Sequence, residues 1–211
     1  MDGDVFQKIL GLVPAGSLAV SAISLAVTAY FAVRSLQAWR NQLVGKRHFE
    51  VAEQTLQAFV EALNSVNYAR NGMVFSGEGA TRPAEPHETE AQTRARNSLY
   101  APIERLVNKE ATFAELRKMQ TLFEIHFPEI STEPFKSLFH AAVRISNAAH
   151  SRIQSSIDMQ YGDGPDDSER AHLKECRDII NSGSDGEHEL SKNLANALKQ
   201  IKEACKPYIS R

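Results

Sequence analysis

The chain has 211 residues, with 24 lysines and arginines against 26 aspartates and glutamates. That balance excludes both the basic footprint of a nucleic-acid-binding domain and the acidic composition of a solvated tail. Beyond its N-terminal apolar segment the chain is long enough for one domain with its own core. Two cysteines, Cys176 and Cys205, are too few for a disulfide framework and are expected as reduced thiols in a reducing compartment.

Residues 1–8 form a short tail with Asp2, Asp4 and Lys8, followed by an uncharged run over 9–33, from Ile9 to Val33. A helix needs about 20 apolar residues to cross a bilayer core, so the run predicts a transmembrane helix of modest hydrophobicity, diluted by Ala, Ser, Gly and Thr. A cleaved signal peptide fits less well. Its n-region would be basic, and its apolar stretch would be about 7–15 residues.

Arg34, Arg40, Lys46 and Arg47 lie in a basic juxtamembrane helix over 34–47, with no acidic residue before Glu50. By the excess of cations on the cytoplasmic side, the N-terminus is expected outside and residues 48–211 in the cytoplasm, with the inner membrane as the location if the host is bacterial. Membrane lipid is then one expected partner, and topology is the expected role of the four cations.

Ser17, Ser21, Ser24 and Thr28 fall on one helical face, at spacings of four, three and four. They predict a helix-packing face within the membrane. The bland counterpart is that each hydroxyl bonds the carbonyl one turn earlier. The register continues through Phe31, Ser35, Ala38, Gln42 and Gly45 into an apolar seam of Phe49, Ala52, Leu56, Phe59, Leu63 and Val66. Coiled coils and bundles use such a seam. Between Ser35 and Gly45 a competing face of Leu36, Trp39 and Leu43 appears.

No proline interrupts Ala15 to about Val74, which predicts one continuous helix. Ser76–Glu88 holds Gly77, Gly79, Pro83 and Pro86 and no apolar period, which predicts a mobile loop over 76–88. A second helical stretch runs from about Thr89 to Phe127, with Leu99, Ile103, Leu106, Phe113, Leu116, Met119 and Phe123 inward and Pro102 kinking or restarting it. Thr132 is placed to cap a third helix, with Pro134 in its first turn. Its apolar face is expected to hold Phe135, Leu138, Phe139, Ala142, Val143, Ser146, Ala149, Ile153 and Ile157.

Asp166–Ile180 predicts a fourth helix with Leu173, Cys176 and Ile180 inward. The last helix, Glu187–Lys206, carries Leu190, Leu194, Leu198, Ile201 and Cys205, with Pro207 stopping it. No strand pattern occurs in the cytoplasmic part. The expected fold is all-α, a single N-terminal transmembrane helix continuing into an up-and-down helical bundle.

Seven histidines invite a metal search, but no HExxH is present and Glu169-x-x-His172 is half of a di-iron motif. His172 and Cys176 stand one turn apart and supply two ligands where four are needed. Asn181, Asp185 and Gly186 imitate a calcium loop, but Lys192 stands where a bidentate Glu is required. No phosphate-binding glycine loop or nucleophile–base pair is found. No catalytic, cofactor or metal residue is assigned, and no cofactor or nucleic-acid partner is expected.

The acidic group Asp158, Asp163, Asp166, Asp167 and Glu169 reads as solvated helix ends. The sequence therefore predicts a membrane-anchored interaction or signalling module that self-associates or docks a protein. The alternatives are a membrane-active oligomer lined by hydroxyl faces and an enzyme with an unrecognised site.

Overall fold

The computed structural model describes residues 3–161, 164–181 and 188–210, with side chains from Ser21 onward except Ala22 and Tyr161. Six helices are found among them: α1 Gly3–Ala69, α2 Glu90–Val107, α3 Glu110–His126, α4 Glu133–Tyr161, α5 Asp167–Ile180 and α6 Glu189–Ile209. By its internal contacts the chain divides into two units, Met1–His48 and Phe49–Arg211. The first part of α1 belongs to one and its last part to the other.

The expected transmembrane helix over 9–33 is corrected. Among the described residues no helix is long and apolar enough to cross a membrane. Ala, Ser, Gly and Thr make up much of the uncharged run; the side chains of residues 9–20 lie outside the described ones. With the span go the expectations that rested on it: the outward N-terminus, the cytoplasmic assignment, the single-pass membrane anchor, the lipid partner and the membrane-active oligomer. What stands is an all-α helical bundle.

In the second unit α1 buries a broad stripe, including Val51, Ala52, Phe59, Ala62 and Val66 at 0% exposure. Ala52, Phe59, Ala62 and Val66 recur at spacings of seven, three and four, which keeps them on one face, and Val51 widens it. Phe59 meets Phe135 of α4 edge-to-face with ring centroids 5.8 Å apart, and Phe123 of α3 lies 5.6 Å from the same ring. Phe127 closes on Tyr208 of α6 at 4.4 Å. These aromatic contacts add to area burial and join α1, α3, α4 and α6 in one core.

Helix α4 is the central element, with α2, α5 and α6 all packed on it. Its buried face is Phe135, Leu138, Ala141, Ile145, Ala148, Ala149 and Ile153. Val143, expected inward, is 56% exposed. Three neighbours converge on this helix, and small residues let them approach closely, so the alanines and not the bulkier Val143 mark its inner face.

Local signals explain most of the helix ends. Thr89 and Gln92 form a reciprocal capping box at the start of α2, and Asp166 and Glu169 do the same for α5. Such boxes satisfy two of the orphan amides of a first turn. At α4 the Thr132 carbonyl accepts from the Phe135 amide, while the Ser131 hydroxyl, not that of Thr132, accepts from the Glu133 amide at 3.2 Å. Pro102 sits within α2 and the chain breaks later, at Asn108 and Lys109. Pro207 lies inside the last turn of α6, which continues to Ile209.

Gly79 has φ +77° and its amide donates to Glu104 Oε2 at 2.5 Å. A Cβ there would stand 1.9 Å from the Asn97 carbonyl oxygen, whereas one on Gly77, at φ +93°, would meet nothing within 4 Å. Gly77→Ala is therefore expected to cost about 1–2 kcal/mol from the left-handed backbone alone. Gly79→Ala should cost clearly more, about 3 kcal/mol or above, because backbone must also move. Urea unfolding of both variants checks the ordering, and equal losses would contradict the close approach.

Candidate functional site

The side chains singled out from the sequence fall into two groups. Ser17 lies outside the described side chains. Ser21, Ser24 and Thr28 are exposed, and Thr28 Oγ1 donates to the Ser24 carbonyl at 2.8 Å. Arg34, Arg40, Lys46 and Arg47 are exposed as well, with Arg34 Nη1 3.5 Å from the Tyr30 hydroxyl. Of the seam, Ala52, Phe59, Leu63 and Val66 are buried, Leu56 is half-buried against the core, and Phe49 is 37% exposed.

The first unit exposes apolar surface that its polar neighbours do not cover. Ile23, Leu25, Tyr30, Phe31, Leu36 and Trp39 are each between 56% and 72% exposed. Leu25, Ala29, Ala32, Leu36, Trp39 and Leu43, all exposed, follow one another at spacings of four, three, four, three and four. This extends the competing face of Leu36, Trp39 and Leu43 over nearly three heptads. In that register Arg34 stands opposite the seam.

A second constellation is built from arginines inside the bundle. Arg105 of α2 uses all five of its N–H groups. Nε and Nη2 donate to the two oxygens of Glu78, Nη1 to the carbonyls of Tyr68 and Asn71, and Nη2 also to that of Met73, at 2.5–3.2 Å. Its guanidinium also lies 4.9 Å from the centroid of the Tyr68 ring. Glu88 takes Arg82 Nη2 and Arg96 Nη1, each at 2.6 Å, and Arg96 continues to the Ser156 carbonyl and Gln160 Oε1 on α4. Glu104 accepts the Gly79 amide and, at 2.7 Å, the Thr81 hydroxyl. The segment 76–88 is non-helical, and these three carboxylates tie it to α2 and, through Arg96, to α4.

Each carboxyl is held below the usual carboxylate range. Hydrogen bonding to Arg105 holds Glu78 down to about 2, and hydrogen bonding to Arg82, with Arg96 adding, does the same for Glu88. Burial opposes both shifts. The Gly79 amide is the main cause of the lowered value at Glu104.

A third constellation is a groove of about 710 Å³ where α2, α4 and α5 meet. Arg152 of α4 and Arg170, Lys174 and Arg177 of α5 line it, with Leu99, Met159 and Leu173 as apolar wall and no carboxylate. The α5 cations recur at spacings of four and three, which places them on one face. Nothing in the sequence marked them as a group until α4 was known to lie opposite.

Of the residues weighed for metal or nucleophilic chemistry, Cys176 and Cys205 are buried, and Asp185 and Gly186 lie outside the described residues. Cys176 Sγ lies 3.5 Å from His172 Nε2, and burial pushes its thiol up. A protonated thiol is a poor nucleophile and a poor ligand. Burial also raises the Cys205 thiol, to about 11. Glu169 is engaged in the α5 capping box. Among the described residues no three His, Cys, Asp or Glu side chains group as a metal site.

Compared with known protein families, with curated proteins and with solved structures, the chain matches none. Fold and geometry define it as an all-α helical bundle protein with an exposed apolar helix and a basic groove.

The carboxylate shifts carry a pH dependence. A folded-state value below the unfolded one means stability that is present above the unfolded value and lost as pH falls toward the folded one. For Glu78 and Glu88 the loss falls between about 4.5 and about 2. Urea unfolding across that window should show falling stability, and Glu88→Gln should flatten the slope while lowering stability at neutral pH. An unchanged slope in the variant would mean that Glu88 is not held down in the folded state.

Proposed function

We propose that this chain is an interaction module that self-associates through the first part of α1. The observation that carries the reading is the exposed apolar surface between Ile23 and Phe49. A helix apolar around much of its circumference is stable in water when other surfaces enclose it. The occupant proposed is a second copy of the same helix. A seam alternating three and four requires a partner helix with the same repeat, and the chain itself supplies one.

The seam is chemically suited to this. Leu25, Leu36 and Leu43 supply knobs, Ala29 and Ala32 permit a short interaxial distance, and Trp39 brings the largest buried area. Arg34 faces away from the seam, so two copies do not force these cations together. Self-association was one of the partner expectations from the sequence, and it needs no membrane.

Sedimentation velocity of the full chain over a range of concentrations tests the reading. The wild type is expected to sediment as a species larger than the 23.4 kDa monomer. The double substitution Leu36→Glu and Leu43→Glu should weaken association at least ten-fold, since each buried leucine contributes about 1.5–3 kcal/mol. A wild type that is monomeric up to about 100 μM, or a variant that associates equally well, overturns the reading.

A further inference from the structure

The basic groove is distinct from the buried arginine network in one respect that decides its role. Arg82, Arg96 and Arg105 all meet carboxylates inside the bundle, which gives them a structural account. Arg152 has none. It is half-buried, and among the described residues no carboxylate pairs with it and no acceptor takes a hydrogen bond from it. Burial lowers its pKa, with the like charge of Arg177 adding and the Cys176 thiol opposing.

The other cations of the groove are poorly neutralised. Arg170 pairs with Asp167 at 3.2 Å and Arg177 approaches Asp178 at 3.8 Å, both among exposed side chains, and such surface pairs contribute little. Lys174 is exposed and has no described partner. Four positive groups thus converge on one cavity whose described lining holds no carboxylate.

The remaining lining is also donor-rich. Gln92 Oε1 already accepts from the Thr89 amide at 2.8 Å, so the carboxamide nitrogen is the half of Gln92 left to donate. Ser155 and Ser156 of α4 add hydroxyls. Against these stands the apolar wall of Leu99, Met159 and Leu173, of which Met159 is 47% exposed. A cavity of about 710 Å³ lies within the range that holds small organic ligands, about 300–1,000 Å³.

We propose that this groove binds a small organic phosphate: an anion of two or more charges that also carries an aromatic or aliphatic portion. The phosphate oxygens accept from Arg152, Arg177 and Lys174. Guanidinium groups match phosphate geometry with paired N–H donors. The apolar portion lies against Leu99, Met159 and Leu173. Binding supplies the negative charge that Arg152 lacks and relieves its repulsion from Arg177. A bare phosphate would leave the apolar wall uncovered, and an uncharged ring would leave the cations unpaired.

The test is calorimetric titration of the full chain in about 50 mM salt with ADP, inorganic pyrophosphate and adenosine as probes. ADP is expected to bind with a Kd below about 1 mM, pyrophosphate more weakly and adenosine not at all. Arg152→Gln should weaken ADP binding at least ten-fold. Lys174→Glu, at an exposed position without a described contact, should do the same with helix content and thermal unfolding unchanged, and it decides the matter if Arg152→Gln does not fold. Absence of binding by both ADP and pyrophosphate overturns the proposal, as does adenosine binding as well as ADP. Unchanged ADP affinity in Lys174→Glu overturns it too, and equal affinities for pyrophosphate and ADP overturn the assignment of an apolar part.

Discussion

The bundle depends on one guanidinium. Arg105 reaches from α2 to the carbonyls of Tyr68, Asn71 and Met73, where α1 ends, and holds Glu78 with its remaining donors. The last carbonyls of a helix have no partner within it, and a cation at that end also favours the helix dipole. Arg105 therefore terminates α1 and fixes the start of the connection to α2 in one residue. Lysine could not replace it. An ammonium has three donors and no planar fork, so at least two of these acceptors would lose their partner.

Arg70 repeats the arrangement on another helix. Its Nε donates to the Ile179 carbonyl at the end of α5, at 2.8 Å, and Nη1 to the Ser191 hydroxyl in the first turn of α6, at 3.1 Å. Burial lowers its pKa to about 10, with Arg144 adding, which leaves it charged at neutral pH. Thus the cation that caps α1 comes from α2 and the cation that caps α5 comes from the residue after α1. Each joins elements distant in sequence, and removing either would strand buried carbonyls, a larger loss than the net value of a hydrogen bond.

The helices were legible because their signals are local. Threes and fours of apolar residues, the Thr89–Gln92 and Asp166–Glu169 boxes, and the glycines and prolines after Ser76 all act within a few positions. The α4 face was misread at Val143 because a periodicity count weights bulk, whereas a helix crossed by three others selects alanine. The carboxylates of the 76–88 segment read as loop composition, since their arginine partners lie as far as 27 positions away, as in Arg105 with Glu78. The membrane span was misread for a different reason: uncharged length was counted, while Ala, Ser, Gly and Thr make up much of the run, and among the described residues no helix is long and apolar enough to cross a membrane.

The groove was illegible for the same reason as the arginine network, and comparing the two shows what a charge pattern means. Arg170, Lys174 and Arg177 form a stripe on α5 that any solvated helix could carry, and Arg152 alone is one polar residue on α4. Only packing puts them around one cavity, and its described lining holds no carboxylate, unlike the surroundings of Arg82, Arg96 and Arg105. A buried arginine with its carboxylate has its charge offset within the chain. Arg152 beside Arg177 is incomplete: burial and like charge act in the same direction, the Cys176 thiol opposes them, and among the described residues no carboxylate pairs with it. A fold retains such a destabilising pair at little cost when solvent still reaches it, and at a benefit when an anion occupies it. The half-exposed position of Arg152 fits both, and the apolar side chains of Leu99, Met159 and Leu173 in the same lining favour the second, since water alone has no use for them.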